Sequence, residues 1–224
     1  MIYLNMQEPK SLDKRFMPLI CLIGIFLNFF LSTILTTKIF DGPLYLDTVF
    51  TVSLTLIGGL FWGMLCGALS NILIHTYIFW SWEGYLFVLC NVATAFITWL
   101  FIRFFPRELA LPYQPNELHK SRHLDGIIGR LVVLILLSFT LCIAMSILGG
   151  LITVFISYIG PYPRDPTYLH APLGSILFSE DTPILIVEIL SRIPVNIVDR
   201  LITALAGYGA ALLYIKAIRR RTHS

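Results

Sequence analysis

Residues 47–72 read DTVFTVSLTLIGGLFWGMLCGALSNI. Asp47 and Thr48 precede an apolar run that reaches Ile57. Gly58, Gly59 and Gly63 then bracket a turn without a charged residue, and a second apolar run follows at once. Two apolar helices joined this tightly must lie antiparallel and side by side. Gly63, Gly67 and Ser70 put small side chains on one face of the second helix, where a neighbouring backbone can approach closely. Asp47 stands where an N-cap would stand, ahead of the first helix.

Outward from this hairpin the chain stays apolar. Of its 224 residues 57% are hydrophobic and 13% charged, and the mean hydropathy is +0.80. A soluble domain carries about 25% charged residues, so the composition indicates an integral membrane protein. No polar stretch is long enough for a separate catalytic or nucleotide-binding domain. The formal charge of +3 is too small to argue for nucleic acid. Cys21, Cys66, Cys90 and Cys142 all fall in apolar runs without a Cys-X-X-Cys pair, as expected of small buried side chains.

The runs predict an all-α bundle of six transmembrane helices in one domain. Residues 1–15 form a polar N-terminus, 16–217 the bundle and 218–224 a basic tail. Expected helices span about 16–35, 47–57, 60–79, 85–104, 131–158 and 196–217. The second is short for a crossing, which implies tilt or a start below the surface. Residues 184–193 carry Glu188 and Arg192 just before Pro194. They predict a short helix dipping into the outer face followed by a bend; the other course is one long kinked helix. Basic residues Lys10, Lys14, Arg15, Arg103, Arg107, Lys120, Arg122 and Arg219 to Arg221 all fall on one side of a six-crossing topology. Asp41, Asp47, Glu83, Asp165, Glu180 and Asp181 fall on the other, with Lys38 and Arg164. By the positive-inside rule both termini are expected in the cytosol.

Ionisable groups at membrane depth need a partner or a task. Glu188 and Arg192, spaced i, i+4, can pair on one helix face, either as a structural clasp or as ligand contacts. Asp199 and Arg200 either neutralise each other or line a cavity. Asn28, Asn71 and His75 read as interhelical hydrogen-bonding or core groups. Asn91 and Asn196 add polar groups near the outer half. Trp80 and Trp82 suit an interfacial belt, or stacking on a flat ring at the mouth of a pocket. Neither a Walker A sequence nor a His-Glu-X-X-His or Gly-X-Ser-X-Gly motif is present, so no enzyme activity and no cofactor are expected.

Tyr45-Leu46-Asp47-Thr48, Gly59-Leu60-Phe61-Trp62-Gly63 and Gly67-Ala68-Leu69-Ser70-Asn71 resemble the second and third helices of energy-coupling factor (ECF) transporter S components. Pro194-Val195-Asn196 and the end at Leu213-Tyr214-Ile215-Lys216 resemble the last helix. The resemblance implies a six-helix subunit of the cell membrane that captures a vitamin or related micronutrient at its outer face. It also implies a transmembrane coupling protein and cytosolic ATPase subunits as partners, and places Tyr45, Asp47, Asn91 and Asn196 near the ligand. Family members often carry Ala-X-X-X-Ala on helix one, where this chain has Gly24, Asn28 and Ser32. The alternative function is a membrane sensor or assembly module that binds without transport.

Overall fold

The computed structural model describes residues 14–34, 44–78, 82–109, 111, 123–159 and 182–222. Trp80, the first thirteen residues and the segments 35–43, 112–122 and 160–181 lie outside the described residues. With them go the topological markers Lys10, Lys38, Asp41, Lys120, Arg122, Arg164, Asp165, Glu180 and Asp181.

Every regular element described is helical: α1 Met17–Phe30, α2 Val49–Gly58, α3 Leu60–Ile78, α4 Val88–Phe104, α5 Pro106–Leu109, α6 His123–Ile159 and α7 Ile184–Thr222. Short 3₁₀ turns at Lys14–Phe16 and Trp82–Phe87 lead into α1 and α4. Among the described residues, five segments are long and apolar enough to cross a membrane: Met17–Ile34, Leu60–Tyr77, Trp82–Phe104, Gly126–Ile159 and Ile184–Ile218. Leu19, Leu22, Phe26, Phe30, Phe139, Ile143 and Phe155 are exposed on the outer faces, the distribution expected where lipid rather than water is the solvent. The chain is thus a multi-pass helical membrane protein.

Side-chain contacts fix the directions. Cys21 approaches Trp62, and Asn28 approaches Ser70, so α1 and α3 run parallel. The α2–α3 turn reverses the chain, with Gly59 at φ 83° supplying the left-handed residue that the corner needs. A side chain on Gly63 would strike Thr55 of α2, and one on Gly67 would meet the Asn91 carbonyl of α4 at 3.0 Å. The small-residue face therefore packs as the sequence suggests. Ser146 meets Asn196, and Thr153 meets Arg192, so α6 and α7 are antiparallel.

Helix α2 spans only ten residues, about 15 Å. Its lower end sits against Met17, and its upper end, beside Asn28, stops below the far ends of its neighbours. Past this level α3 continues about two turns beyond Ser70 to Ile78. Residues 44–48 are therefore non-helical backbone lying short of the far end of α3.

Two expectations are corrected. First, α6 begins at His123 rather than near Leu131 and reaches 37 residues, about 55 Å, far beyond one hydrocarbon thickness of about 30 Å. Second, the separate dipping helix before Pro194 is not formed. Residues 184–193 are the first turns of one 39-residue helix with Pro194 inside it, which is the single-long-helix course. A proline removes one ladder hydrogen bond and its ring crowds the preceding turn. Packing along α6 on both sides of Pro194 holds the helix together: Arg192 bonds Thr153, Asn196 bonds Ser146, and the Cys142 thiol donates to the Ile193 carbonyl at 3.7 Å.

Candidate functional site

A polar stripe runs down the buried face of α7: Glu188, Arg192, Asn196, Asp199, Arg200 and Thr203, all buried. The spacing of three and four keeps these residues on one side of the helix. From Glu188 to Thr203 the stripe covers about 22 Å of helix axis. Two charged groups lie along it.

The first surrounds the start of α2. Leu46 has φ 44°, an unfavourable left-handed value for a side chain with a Cβ. This turn aims two successive backbone N–H groups, those of Tyr45 and Leu46, at one point. Asp199 Oδ1 sits there and accepts both, at 2.9 and 2.8 Å. Successive N–H groups of this kind make an anion-binding concavity, here filled by a side chain of the same protein. Arg200 completes the group. Its Nη1 donates to Thr48 Oγ1 at 2.6 Å, its Nε pairs with Asp199 Oδ2 at 3.2 Å, and its Nη2 lies 4.0 Å from Asp47 Oδ1.

The helix that starts here is capped in trans. Val49 is the first helical residue of α2, and Thr48, at the N-cap, makes no side-chain cap bond. The orphan N–H of Phe50 goes instead to Asn28 Oδ1 of α1 at 2.9 Å. The Asn28 amide then donates to Thr51 Oγ1 and Ser70 Oγ, at 3.2 and 3.1 Å, which ties α1, α2 and α3 together. Asp47, expected as the cap, faces Arg200 instead.

The second charged group lies higher on α7. Arg192 Nη2 donates to Thr153 Oγ1 at 2.7 Å and contacts Glu188 Oε2 at 3.4 Å. Gly149 of α6 leaves the guanidinium its space: a Cβ there would stand 3.2 Å from Nη1. Removing one member of a buried pair strands a charge, at a cost of about 3–5 kcal/mol, whereas neutralising both is far milder. Arg192→Gln alone should therefore lower the unfolding midpoint in detergent much more than Glu188→Gln with Arg192→Gln together. Equal losses would show that Glu188 and Arg192 act independently.

The residues marked out by sequence thus divide. Tyr45, Asp47, Asp199 and Arg200 meet at the start of α2, and Asn91 of α4 faces the Asp47 carboxylate while donating to the Gly67 carbonyl at 3.3 Å. Glu188 and Arg192 pair as their spacing implies. Asn196 is committed to Ser146 at 2.9 Å. Trp82 is half exposed on the 3₁₀ turn ahead of α4. Sequence reading missed the trans-capping by Asn28 and the docking of Asp199 on backbone N–H groups; the one available signal was a short helix preceded by polar residues.

Fold and site together define a class: a multi-pass helical membrane protein with two charged groups held at depth along one helix. No known family model, no curated protein and no solved structure matches the chain.

Proposed function

We propose that the chain is the solute-binding subunit of an ECF-type importer, an S component of the cytoplasmic membrane with both termini in the cytosol and six crossings, α2 being the short one. It takes a vitamin or related micronutrient at the outer face. A transmembrane coupling protein and cytosolic ATPases supply the energy, since the chain carries no nucleotide-binding motif. In this reading it is not an enzyme and needs no cofactor.

The observation that supports this most is the mid-depth convergence of polar side chains from separate elements. Tyr45 and Asp47 come from the segment before α2, Asn91 from α4 and Arg200 from α7. Irregular backbone and charge at membrane depth are tolerated where they are enclosed by protein or line a wet cavity. Tyr45 keeps 37% of its surface exposed beside this group, so a solute has an aromatic face to meet. The resemblance of residues 45–48, 59–63 and 67–71 to S components adds to it.

The test is mass spectrometry of small molecules released from the chain after purification in mild detergent. One water-soluble compound at near one copy per chain is expected, and Asn91→Ala should reduce its retention. A chain that carries no such compound, and binds none from a panel of vitamins and their precursors, sinks the proposal.

A further inference from the structure

Among the described residues, the charges at the start of α2 do not balance. Asp47 and Asp199 contribute two carboxylates and Arg200 one guanidinium. Including the next pair up α7, Glu188 with Arg192, the count is three carboxylates against two guanidiniums, which leaves one negative charge over. Asp199 is fully buried, Arg200 is 5% exposed and the Asp47 side chain is 14% exposed. An uncompensated charge in such surroundings is strongly disfavoured.

Geometry identifies the oxygen that carries the surplus. Arg200 Nη1 donates to Thr48 and its Nε stands 3.2 Å from Asp199 Oδ2 as an ion pair without a hydrogen bond, while Asp199 Oδ1 holds two backbone N–H groups. Asp47 faces Asn91, and its guanidinium neighbour Arg200 stands 4.0 Å away, farther than Arg200 stands from Asp199; the Asp47 Oδ1 accepts no hydrogen bond. A second, independent group points the same way. The hydroxyl of Thr203, a fully buried residue, makes no hydrogen bond. Other buried helical hydroxyls (Thr55, Thr94, Thr98, Ser138) bond the carbonyl one turn back. Thr203 is one turn after Asp199 on the same face, and side chains on a helix lean toward its N-terminus, here toward Asp199 and Arg200.

From these observations we infer that the Asp47–Asp199–Arg200 group binds one monovalent cation, a proton or an alkali metal ion, with Asp47 as its main ligand. A proton bonds to one Asp47 carboxylate oxygen and makes a neutral acid, and no other bond changes. An alkali ion instead takes oxygen ligands from Asp47 and Thr203. Either way the group becomes neutral. Among the described residues, the other titratable or charged groups near Asp47 are Tyr45 in its own segment, Cys90 on α4, and Arg192 with its partner Glu188 on α7. None of these supplies a free positive charge. The inference holds whether or not the chain serves an importer.

The experiment uses the full chain in detergent, in choline chloride buffer free of alkali ions and again with sodium chloride. Infrared spectra report the carbonyl stretch of a protonated carboxyl group, and isotope-labelled aspartate assigns it without any substitution. If the cation is a proton, an aspartic acid band is present without alkali ions and is lost in Asp47→Asn. A proton bound by the folded chain and released on unfolding makes stability fall as pH rises, and this slope should flatten in Asp47→Asn. If the cation is an alkali ion, the band is absent. Sodium then raises the unfolding temperature of the wild type, less so in Thr203→Val and not at all in Asp47→Asn. An ionised Asp47, with no sodium response and a pH profile shared by wild type and Asp47→Asn, overturns the inference. Loss of the copurifying solute with the cation response intact would count against the importer reading alone.

Discussion

Asp199→Ala should leave little folded protein, chiefly because it orphans two backbone N–H groups at the start of α2. The change strips one acceptor from two N–H groups, those of Tyr45 and Leu46. Each orphaned donor adds about 1–3 kcal/mol when no water can replace the acceptor. It also deprives Arg200 of its closest carboxylate, 3.2 Å from Nε. One effect opposes these: the variant removes the surplus negative charge. Asp199→Asn separates the contributions, because an amide oxygen can still accept both N–H groups, and Asp47 remains beside Arg200. The expected order of unfolding midpoints is wild type and Asp199→Asn close together, with Asp199→Ala far below. If Asp199→Asn falls as far as Asp199→Ala, the charge on Asp199 matters more than its docking on the backbone.

Asn28→Leu should be the second most damaging single change. Leucine is similar in size but offers no acceptor to the Phe50 N–H and no donor to Thr51 or Ser70. A buried N–H left unpaired at a helix start costs about 1–3 kcal/mol. Ser70→Ala serves as the comparison, since it removes one partner of an amide that keeps others; its loss should stay near 1 kcal/mol. Unfolding midpoints in mixed micelles decide between them. A Ser70→Ala loss equal to that of Asn28→Leu would mean that the α1–α3 bond, not the cap on α2, is what Asn28 supplies.

What the sequence disclosed follows from what periodicity can report. Apolar runs located the membrane helices, and glycines at 58, 59 and 63 located the α2–α3 corner, because a tight turn and a close approach demand particular residue types. The i, i+4 spacing disclosed the Glu188–Arg192 pair, and the Asn in an apolar helix disclosed Asn28 as a bonding group. Distant partners were not legible. Nothing local to Asp199 says that it binds N–H groups of Tyr45 and Leu46, more than 150 residues away. Asp47 looked like a cap because caps are read from the adjacent residue, whereas this helix is capped from another. Pro194 argued for a break because its local penalty is visible, while the packing along α6 that offsets it is not. Trp82 drew notice through its residue type, and it is half exposed on its 3₁₀ turn.

The docking of Asp199 on the Tyr45–Leu46 backbone has a further consequence for how the chain is made. The two partners are separated by 153 residues for the Leu46 bond. At translation rates of about 5–20 residues per second, roughly 8 to 30 s pass between their emergence from the ribosome. Throughout that interval the Tyr45 and Leu46 N–H groups wait for their acceptor, and α2, only ten residues long, is held by its cap from Asn28 and its hairpin with α3. Helix α7 is thus the one that completes the start of α2, and a nascent chain stalled before Asp199 exposes an unfinished site to quality-control proteases.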